Sequence, residues 1–373
     1  MPLRALARVN LAAIERNVAL LRRSLNPGTR MCAVVKGDGY GHGAASAARA
    51  ALSGGAHWLA VATAEEAAEV RSAGIGARIL VMGAISRQEL PVAIAARAEL
   101  VAWSERFIDD LAGAARGPVR VHVKLDSGMG RLGTRELREA LSVAERVLSG
   151  APTLALAGAM THFATADEDL EFLHLQLERF RPFAAEIRAR QPHAVVHAAN
   201  SAATLRAEQS HFDLVRCGIA IYGCDPMHDD PSLRGLEPAL ELTTYVAALK
   251  LARAGDSAGY GRRFIAERDT WIATLPIGYA DGFRRALTDR GQVLIGGRRY
   301  ALAGMVSMDN ITVDVGRDPL VQVGEIATII GADGGDRLTA EQLAHWIGTI
   351  NYELVCGISR RVPRVYHRDG APV

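Results

Sequence analysis

Eight apolar runs separated by helical segments constrain the fold of this chain more than any other feature. Helical periodicity fills most of the intervals, for example at 135–148 and 167–190. The runs lie at 31–36, 57–63, 78–83, 99–104, 118–125, 154–162, 194–199 and 213–222. Near-continuous apolar strands that alternate with helices are typical of a parallel sheet covered on both faces. Eight such units favour a closed (β/α)8 barrel over an open sheet.

The sequence changes character after residue 222. A turn-rich stretch follows, with Pro226, Pro231, Gly235 and Pro238. From residue 239 onward, short apolar runs such as 271–275 and 292–295 are separated by Gly, Asp and Arg turns. This pattern indicates a second, mostly β domain. We therefore predict an α/β protein, with an N-terminal barrel over residues 1–236 and a C-terminal β domain over residues 237–373.

Charge and cysteine usage narrow the classes of partner. The net charge of +2 and the lack of a Lys/Arg run give no support for nucleic-acid binding. The four cysteines are scattered without a CxxC pair, which favours reduced thiols over a metal site or disulfides. No apolar stretch is long enough to span a membrane. We expect a cytoplasmic protein with no metal and with neither nucleic acid nor a membrane as partner.

The stretch from Val34 to Gly43 places a lysine, Lys36, where an apolar strand gives way to a glycine-rich loop. Glycines permit left-handed backbone and close approach to a ligand. Taken alone, the loop favours a mobile surface segment with a solvated lysine. The alternative is a lysine that forms a Schiff base with a carbonyl cofactor, with Tyr40 beside it.

A literal G-x-G-x-x-G at residues 128–133 suggests a dinucleotide site. The match is weak, because it follows the fifth strand and carries Arg131, whose long chain would compete with close packing around a pyrophosphate. A loop that presents Arg131 to an anionic group fits better.

Polar residues gather where the predicted strands end, which is the catalytic face of such barrels. They are Lys36, Lys124, Arg131, His162, Asn200, Ser201 and Arg216, and the backbone amides of Gly218 and Ile219 lie with them in the eighth run. His162 alone fits a core histidine, and Asn200 alone fits a helix N-cap. Ser201 at a helix start, with the amides near Gly218 and Ile219, also forms a ready anion site. A Schiff-base lysine and a phosphate site on one barrel indicate pyridoxal 5′-phosphate (PLP).

At this point the sequence resembles the alanine racemase family over nearly its whole length. The glycine-rich stretch around Lys36 resembles the PLP-attachment signature of that family. Further matching stretches lie at 124–133, 162–167, 199–205, 215–219, 259–261, 276–282, 307–309 and 350–353. Each is short, but their order and number make the resemblance specific.

The resemblance implies a role for each matching residue. Lys36 holds PLP and moves the proton on one face of the substrate Cα, and Tyr260 moves it on the opposite face. Tyr40, Ser201, Gly218, Ile219 and Tyr352 resemble phosphate ligands, supported by Asn200. Arg216 resembles the arginine at the pyridine nitrogen, and His162 resembles its partner. Arg131, the Met308 backbone, Asp309 and Tyr279 resemble substrate-binding groups, and Lys124 resembles a lysine that is often carbamylated. The family further implies a homodimer with shared sites, in which Tyr260 and Met308 come from the second subunit.

The chemistry needs two bases because racemisation removes a proton from one face and returns another to the opposite face. Two departures from the family pattern are visible: Ser307 replaces a common cysteine, and Gly259 replaces a small hydroxyl residue. Neither departure removes a proton carrier, and Gly259 is expected to loosen the placement of Tyr260 and so to affect the rate. PLP-dependent decarboxylases would carry an acidic partner for the pyridine nitrogen, so Arg216 argues against them. A single-domain protein that only binds PLP would need no second base, so the β domain with Tyr260 argues against that class. A racemase of broader specificity stays open.

Overall fold

The computed structural model describes residues 3–373 and divides the chain into two compact units. The first unit comprises Ile14–Gly39 and Ala44–Ile221. The second unit comprises residues 3–13, Tyr40–Gly43 and Tyr222–Val373. The domain boundary between residues 236 and 237 stays a prediction.

The chain begins with strand β1 (Ala5–Asn10) and helix α1 (Leu11–Arg23). Eight parallel strands then form the sheet of the first unit, and the eight predicted runs are confirmed. They are β2 (Arg30–Val34), β3 (Trp58–Val61), β4 (Arg78–Val81), β5 (Glu99–Ala102), β6 (Val119–Lys124), β7 (Leu154–Met160), β8 (Val195–His197) and β9 (Leu214–Cys217).

These strands pair in the spatial order β8-β7-β6-β5-β4-β3-β2-β9. The two end strands, β8 and β9, also lie close together. Asp213 N donates to Val196 O over 3.0 Å, and Arg216 N donates to Ala199 O over 2.9 Å. The result is the nearly closed parallel barrel that the sequence predicts. Most strand side chains are buried, as expected when helices cover the outer face.

Helices separate the barrel strands. They are α2 (Lys36–Tyr40), α3 (Ala44–Ser53), α4 (Ala64–Ser72), α5 (Leu90–Ala95), α6 (Glu105–Ala114), α7 (Leu137–Ser149), α8 (Leu170–Arg190) and α9 (Ser201–Arg206). Local sequence sets several starts: Thr63 forms a capping box with Glu66, and Asp169 accepts the Phe172 N–H. Helix α7 buries one stripe, residues 140, 143, 144 and 147, at the spacing of a single helical face.

The second unit is mostly β, as predicted. Its main sheet has the order β16-β15-β18-β10-β1-β20-β21, with β19 on β18; β11-β14-β17 and β12-β13 form smaller sheets. The strands are β10 (Leu240–Tyr245), β11 (Ala248–Ala252), β12 (Ser257–Ala258), β13 (Phe264–Ile265), β14 (Thr270–Leu275), β15 (Gln292–Ile295), β16 (Arg298–Ala301), β17 (Ile311–Gly316), β18 (Ile326–Asp333), β19 (Asp336–Leu338), β20 (Arg364–Arg368) and β21 (Ala371–Pro372).

Two helices of this unit, α10 (Ala340–Ile347) and α11 (Asn351–Cys356), were not predicted. Helix α10 starts with a capping box between Thr339 and Gln342 and ends at left-handed Gly348. Over residues 3–373, no helix combines the length and apolar character needed to cross a membrane.

Candidate active site

Lys36 lies just past the end of β2, where the chain turns through left-handed backbone. Gly37, Asp38 and Gly39 have φ values of 61°, 53° and 62°. Although Lys36–Tyr40 is numbered α2 among the helices above, these angles make it a left-handed turn rather than a right-handed helix. Asp38 tolerates the conformation because its carboxylate Oδ1 accepts the Ala44 N–H over 2.9 Å. The glycine-rich sequence thus fixes a sharp turn, and Lys36 is half-buried at its start.

Tyr40 ends this turn and belongs with the second unit. Its ring lies 5.2 Å from that of Tyr222 and 6.1 Å from that of Tyr352, measured between centroids. The structure therefore brings together Tyr40 and Tyr352, the two tyrosines expected at a phosphate group.

Arg216 is buried within β9, and its guanidinium contacts several acceptors. Nη1 hydrogen-bonds Nδ1 of His197 over 2.9 Å, and Nη2 donates to the carbonyl oxygens of Thr161 and Ala198, each over 2.9 Å. Its Nε is buried with no hydrogen-bond partner among the described residues. Burial lowers the pKa of Arg216 to about 10. A cationic donor is thus held by several acceptors, while its Nε–H is left to donate.

His162 lies two residues beyond β7 and approaches Arg216, with 3.1 Å between His162 Nδ1 and Arg216 Nη2. Burial holds the pKa of His162 well below its ordinary value, and the charges of Arg216, Lys124, Arg131 and Lys36 lower it further. The four cations and His162 itself come from β2, β6, β7 and β9, so the barrel brings predicted residues from four strands to one imidazole. The imidazole is neutral among them.

Lys124 is the last residue of β6, and its side chain is almost fully buried. Burial, with the positive charges of Arg131 and Arg216, lowers its pKa to about 8. An amine of this pKa is partly neutral near pH 7 and is therefore a better nucleophile than an ordinary lysine.

The loop after β6 is organised by Asp126, which sequence reasoning missed. Its carboxylate accepts the N–H of Gly128 over 3.1 Å and that of Gly130 over 3.0 Å. These amides, which a dinucleotide fingerprint would offer to a pyrophosphate, are bonded within their own loop. The structure therefore supports the rejection of that motif. The sequence does carry a signal for this role of Asp126, because an Asp before a glycine turn commonly accepts a hydrogen bond from the backbone N–H two residues later.

Asn200, Ser201 and Gly218 also come together at the strand ends. Asn200 caps α9 by accepting the Ala203 N–H over 2.9 Å, and Ser201 Oγ accepts the Gly218 N–H over 2.9 Å. Because the Ser201 hydroxyl accepts here, its own O–H is left to donate. Gly218 and Ile219 were predicted within the eighth strand, but β9 ends at Cys217 and both residues follow it. The Gly218 amide is bonded to Ser201 rather than open.

The remaining predicted residues lie in the second unit, and several are exposed. The exposed fractions are 71% for Tyr260, 52% for Met308 and 43% for Tyr279. Tyr279 N donates to Ser307 O over 3.0 Å, which ties the Tyr279 loop to the Met308 loop. Asp309, also in the second loop, has its carboxylate 2.7 Å from Nη2 of Arg361.

Two further observations complete the site. His197, which holds Arg216, was not predicted; the signal was a polar residue inside the apolar run 194–199. Within residues 3–373, no group of His, Cys, Asp or Glu side chains has the geometry of a metal site.

Comparisons with known proteins show the family of the chain. The family model for the alanine racemase N-terminal domain matches residues 9–226, and that for the C-terminal domain matches residues 239–366. An alanine racemase of Symbiobacterium thermophilum is 41% identical, covering 98% of this chain and 97% of its own. Alanine racemase 1 of Bacillus subtilis is 38% identical, and the match covers 98% of this chain and 93% of that relative.

Solved structures extend the likeness to the whole fold. An alanine racemase from D-cycloserine-producing Streptomyces lavendulae superposes with a TM-score of 0.94 at 39% identity, covering 98% of each chain. An alanine racemase from Bacillus anthracis with bound L-Ala-P superposes with a TM-score of 0.92 at 37% identity, covering 100% of this chain and 97% of the other.

Proposed function

The chain belongs to the alanine racemase family, and from this premise we propose that it interconverts L-alanine and D-alanine with PLP as its cofactor. The observation that carries the proposal is the buried N–H of Arg216 Nε, which finds no hydrogen-bond partner within residues 3–373. It lies at the strand ends that also present Lys36. A cofactor ring nitrogen is the acceptor that this donor needs.

The barrel residues fit PLP in their chemistry. When bound, PLP supplies an aldehyde that condenses with amines and a ring system that stabilises a carbanion. The Lys36 amine would hold it covalently. Its phosphate would bind through Tyr40, Ser201, Gly218, Ile219 and Tyr352, with Asn200 supporting the pocket, and would replace Ser201 Oγ as the acceptor of the Gly218 N–H. The Ser201 O–H and the paired rings of Tyr40 and Tyr352 support this assignment.

Arg216 determines the protonation state at the ring. Because a guanidinium retains its proton, Arg216 donates a hydrogen bond and leaves the acceptor nitrogen unprotonated. The neutral imidazole of His162 accepts from the same guanidinium without adding a charge. By keeping that nitrogen unprotonated, Arg216 would make a bound ring a weaker electron sink, which would favour simple proton exchange over transamination.

Two bases move the substrate proton. We assign the amine of Lys36 to one face of Cα and the phenol oxygen of Tyr260 to the other. The exposure of Tyr260, Met308 and Tyr279 supports a homodimer in which these groups complete the partner's site. Arg131, the Met308 backbone, Asp309 and Tyr279 would bind the substrate carboxylate region.

Lys124 supports the orientation of Arg131. A neutral lysine amine adds to carbon dioxide and releases one proton to solvent, and the resulting anionic carbamate would accept hydrogen bonds from the Arg131 guanidinium. The lowered pKa of Lys124 supports this assignment, since about 8 leaves a reactive fraction near neutrality. The buried free thiols of Cys32, Cys217 and Cys224 support a cytoplasmic location.

The test is direct. Purified protein with PLP is incubated separately with single L-amino acids, and the products are resolved by chiral chromatography. We expect D-alanine to form and to approach equal amounts with L-alanine. If D-alanine does not form, the proposed function is wrong; if several amino acids racemise at comparable rates, the substrate is broader than alanine.

A further inference from the structure

The guanidinium of Arg216 is one end of a buried hydrogen-bond chain that crosses the barrel. Arg216 Nη1 lies 2.9 Å from Nδ1 of His197, His197 Nε2 lies 2.9 Å from Nδ1 of His122, and His122 Nε2 lies 2.9 Å from Oε2 of Glu99. All four residues are buried. Because Glu99 is the first residue of β5 and Arg216 is the third of β9, the chain runs from the amino ends of the strands toward the candidate site.

The direction of every bond in the chain is fixed. A guanidinium has donors only, so Nδ1 of His197 must accept from Arg216. A neutral imidazole then carries its proton on Nε2, which donates to Nδ1 of His122. His122 in turn carries its proton on Nε2 and donates to the Glu99 carboxylate. One arginine therefore sets the tautomer of two histidines in succession.

The charges agree with this order. Burial lowers the pKa of both His122 and His197, so both imidazoles are neutral. Burial alone would raise the pKa of Glu99, but hydrogen bonds from His122 and Arg78 outweigh it and lower that pKa to about 2. The carboxylate is thus ionised. Two neutral imidazoles connect this buried anion to the buried cation at the candidate site.

The outer end of the chain is braced by arginines. Arg78 binds the Glu99 carboxylate through two donors and lies over the ring of Trp58, 3.5 Å from its centroid. Arg120 Nε lies 3.3 Å from Oε2 of Glu99. The carboxylate is therefore held in place from outside, and its remaining interaction points inward to His122.

We propose that His197, His122 and Glu99 are positioning residues for Arg216. The chain holds the guanidinium in one orientation, with Nε directed at the cofactor ring, and its terminal carboxylate accepts the last hydrogen bond of the chain. This inference rests on the proposed function, because it takes the cofactor ring to be the partner of Nε. None of the three residues needs to touch substrate or cofactor.

The experiment compares Glu99→Gln and His197→Asn with wild type in the holoenzyme. Gln retains an acceptor for His122 but removes the charge, and Asn retains an acceptor near Nδ1 but breaks the link to His122. We expect kcat to fall by about tenfold with KM changed less than about twofold, and the visible band of bound cofactor to shift. The double variant should be no slower than the worse single variant, since both break one chain.

Arg120→Gln is the matched control. It removes an ion pair from the same carboxylate without touching the chain, so its cofactor band and kcat should stay near those of wild type. If Arg120→Gln reproduces the effect of Glu99→Gln, or if the two single effects multiply in the double variant, the residues act through stability and the proposal is overturned.

Two further measurements separate the possible failures. If wild type itself forms no D-alanine or holds no cofactor, the proposed function fails; if wild type works and Glu99→Gln matches it in rate and spectrum, only the positioning chain fails. Should a variant not fold, ¹⁵N NMR of wild type decides instead. Both His122 and His197 must be neutral with the proton on Nε2, and any other tautomer excludes the chain.

Discussion

Arg216 Nη2 donates a hydrogen bond to Nδ1 of His162 over 3.1 Å, so the imidazole beside the candidate cofactor site is an acceptor and not a second cation. The pKa of His162, held well below its ordinary value by burial and by Arg216, agrees with that role. In the proposed function, this pair would present a single fixed positive charge to the cofactor ring.

Replacement of Arg216 by Glu tests that charge. A carboxylate at this position would favour a protonated ring nitrogen, so a new long-wavelength absorbance should appear on addition of alanine. Racemisation should slow by at least about 100-fold, which is the usual cost of a lost electrostatic contact at a reacting centre. Stopped-flow absorbance and chiral chromatography measure both effects. Arg216→Gln, which is neutral, controls for folding; unchanged rate and spectrum in the Glu variant would mean that Arg216 does not face the ring.

The lysine content makes cofactor attachment easy to map. The lysines of the chain are Lys36, Lys124 and Lys250. Borohydride should fix the cofactor onto Lys36, because this residue begins the glycine turn at the strand ends. Peptide mass mapping after reduction identifies the labelled lysine, and Lys250→Arg is the control that should label normally. A label on Lys124 would reverse the roles given to the two barrel lysines.

Lys124 predicts a specific dependence of stability on pH. Folding lowers its pKa from 10.5 to about 8, so the unfolded chain binds more protons than the folded chain between these values. The free energy of unfolding should therefore rise with pH across that window, by up to about 3 kcal/mol from this residue. Lys124→Met lacks the titrating amine and should lose this part of the slope, as measured by urea denaturation in buffer free of carbon dioxide.

Bicarbonate gives the matching control for Lys124. A carbamylated amine no longer titrates in this range, so added bicarbonate should flatten the wild-type slope and leave Lys124→Met unchanged. With ¹³C-bicarbonate, a carbamate signal should appear in the wild-type NMR spectrum alone. If the slope persists and no carbamate signal forms, Lys124 acts as a free amine.

Much of the barrel could be predicted because its signals are local. Each strand run is mostly apolar, and each capping residue lies beside the helix that it starts, as Thr63 does for α4. Helices α10 and α11 were missed because they are short and stand among short β runs, where a few apolar residues fit either structure. Tertiary packing decides whether such a segment forms a helix or a strand.

The site was predictable in part for the same reason. Lys36, Arg131 and Ser201 stand out because each follows an apolar run, a position visible in the sequence. Glu99 and His122 also interrupt apolar runs, but their partners come from other strands: 23 residues separate these two, and 75 separate His122 from His197. A single sequence does not reveal contacts of this range, so buried polar networks require the structure.

Gly259 gives a prediction about backbone. Its φ of 74° with ψ of 179° is a conformation that residues with a side chain rarely adopt, and a Cβ would lie 3.1 Å from Met305 N. Gly259→Ala should therefore destabilise the protein by about 1–3 kcal/mol and raise the mobility of the adjacent Tyr260. Gly335→Ala is the matched control in the same unit, because its Cβ meets open space. Equal unfolding free energies for the two variants would show that the site tolerates a side chain.

The last prediction concerns shared active sites. Lys36 belongs to the barrel unit, and Tyr260 is 71% exposed in the second unit, as expected of a side chain that completes a partner's site. We therefore expect two inactive variants, Lys36→Ala and Tyr260→Phe, to complement each other. In a heterodimer, one site would carry both defects and the other neither.

Random exchange in an equal mixture makes about half of the dimers mixed, each with one intact site, so about a quarter of wild-type activity should return by the logic of a two-fold interface. Differently tagged chains and tandem purification isolate the heterodimer, whose rate should approach half that of wild type. Mixing Lys36→Ala with itself under both tags controls for the exchange procedure. If each chain instead holds its own complete site, every site in the heterodimer keeps one defect, and a purified heterodimer without activity would contradict the shared arrangement.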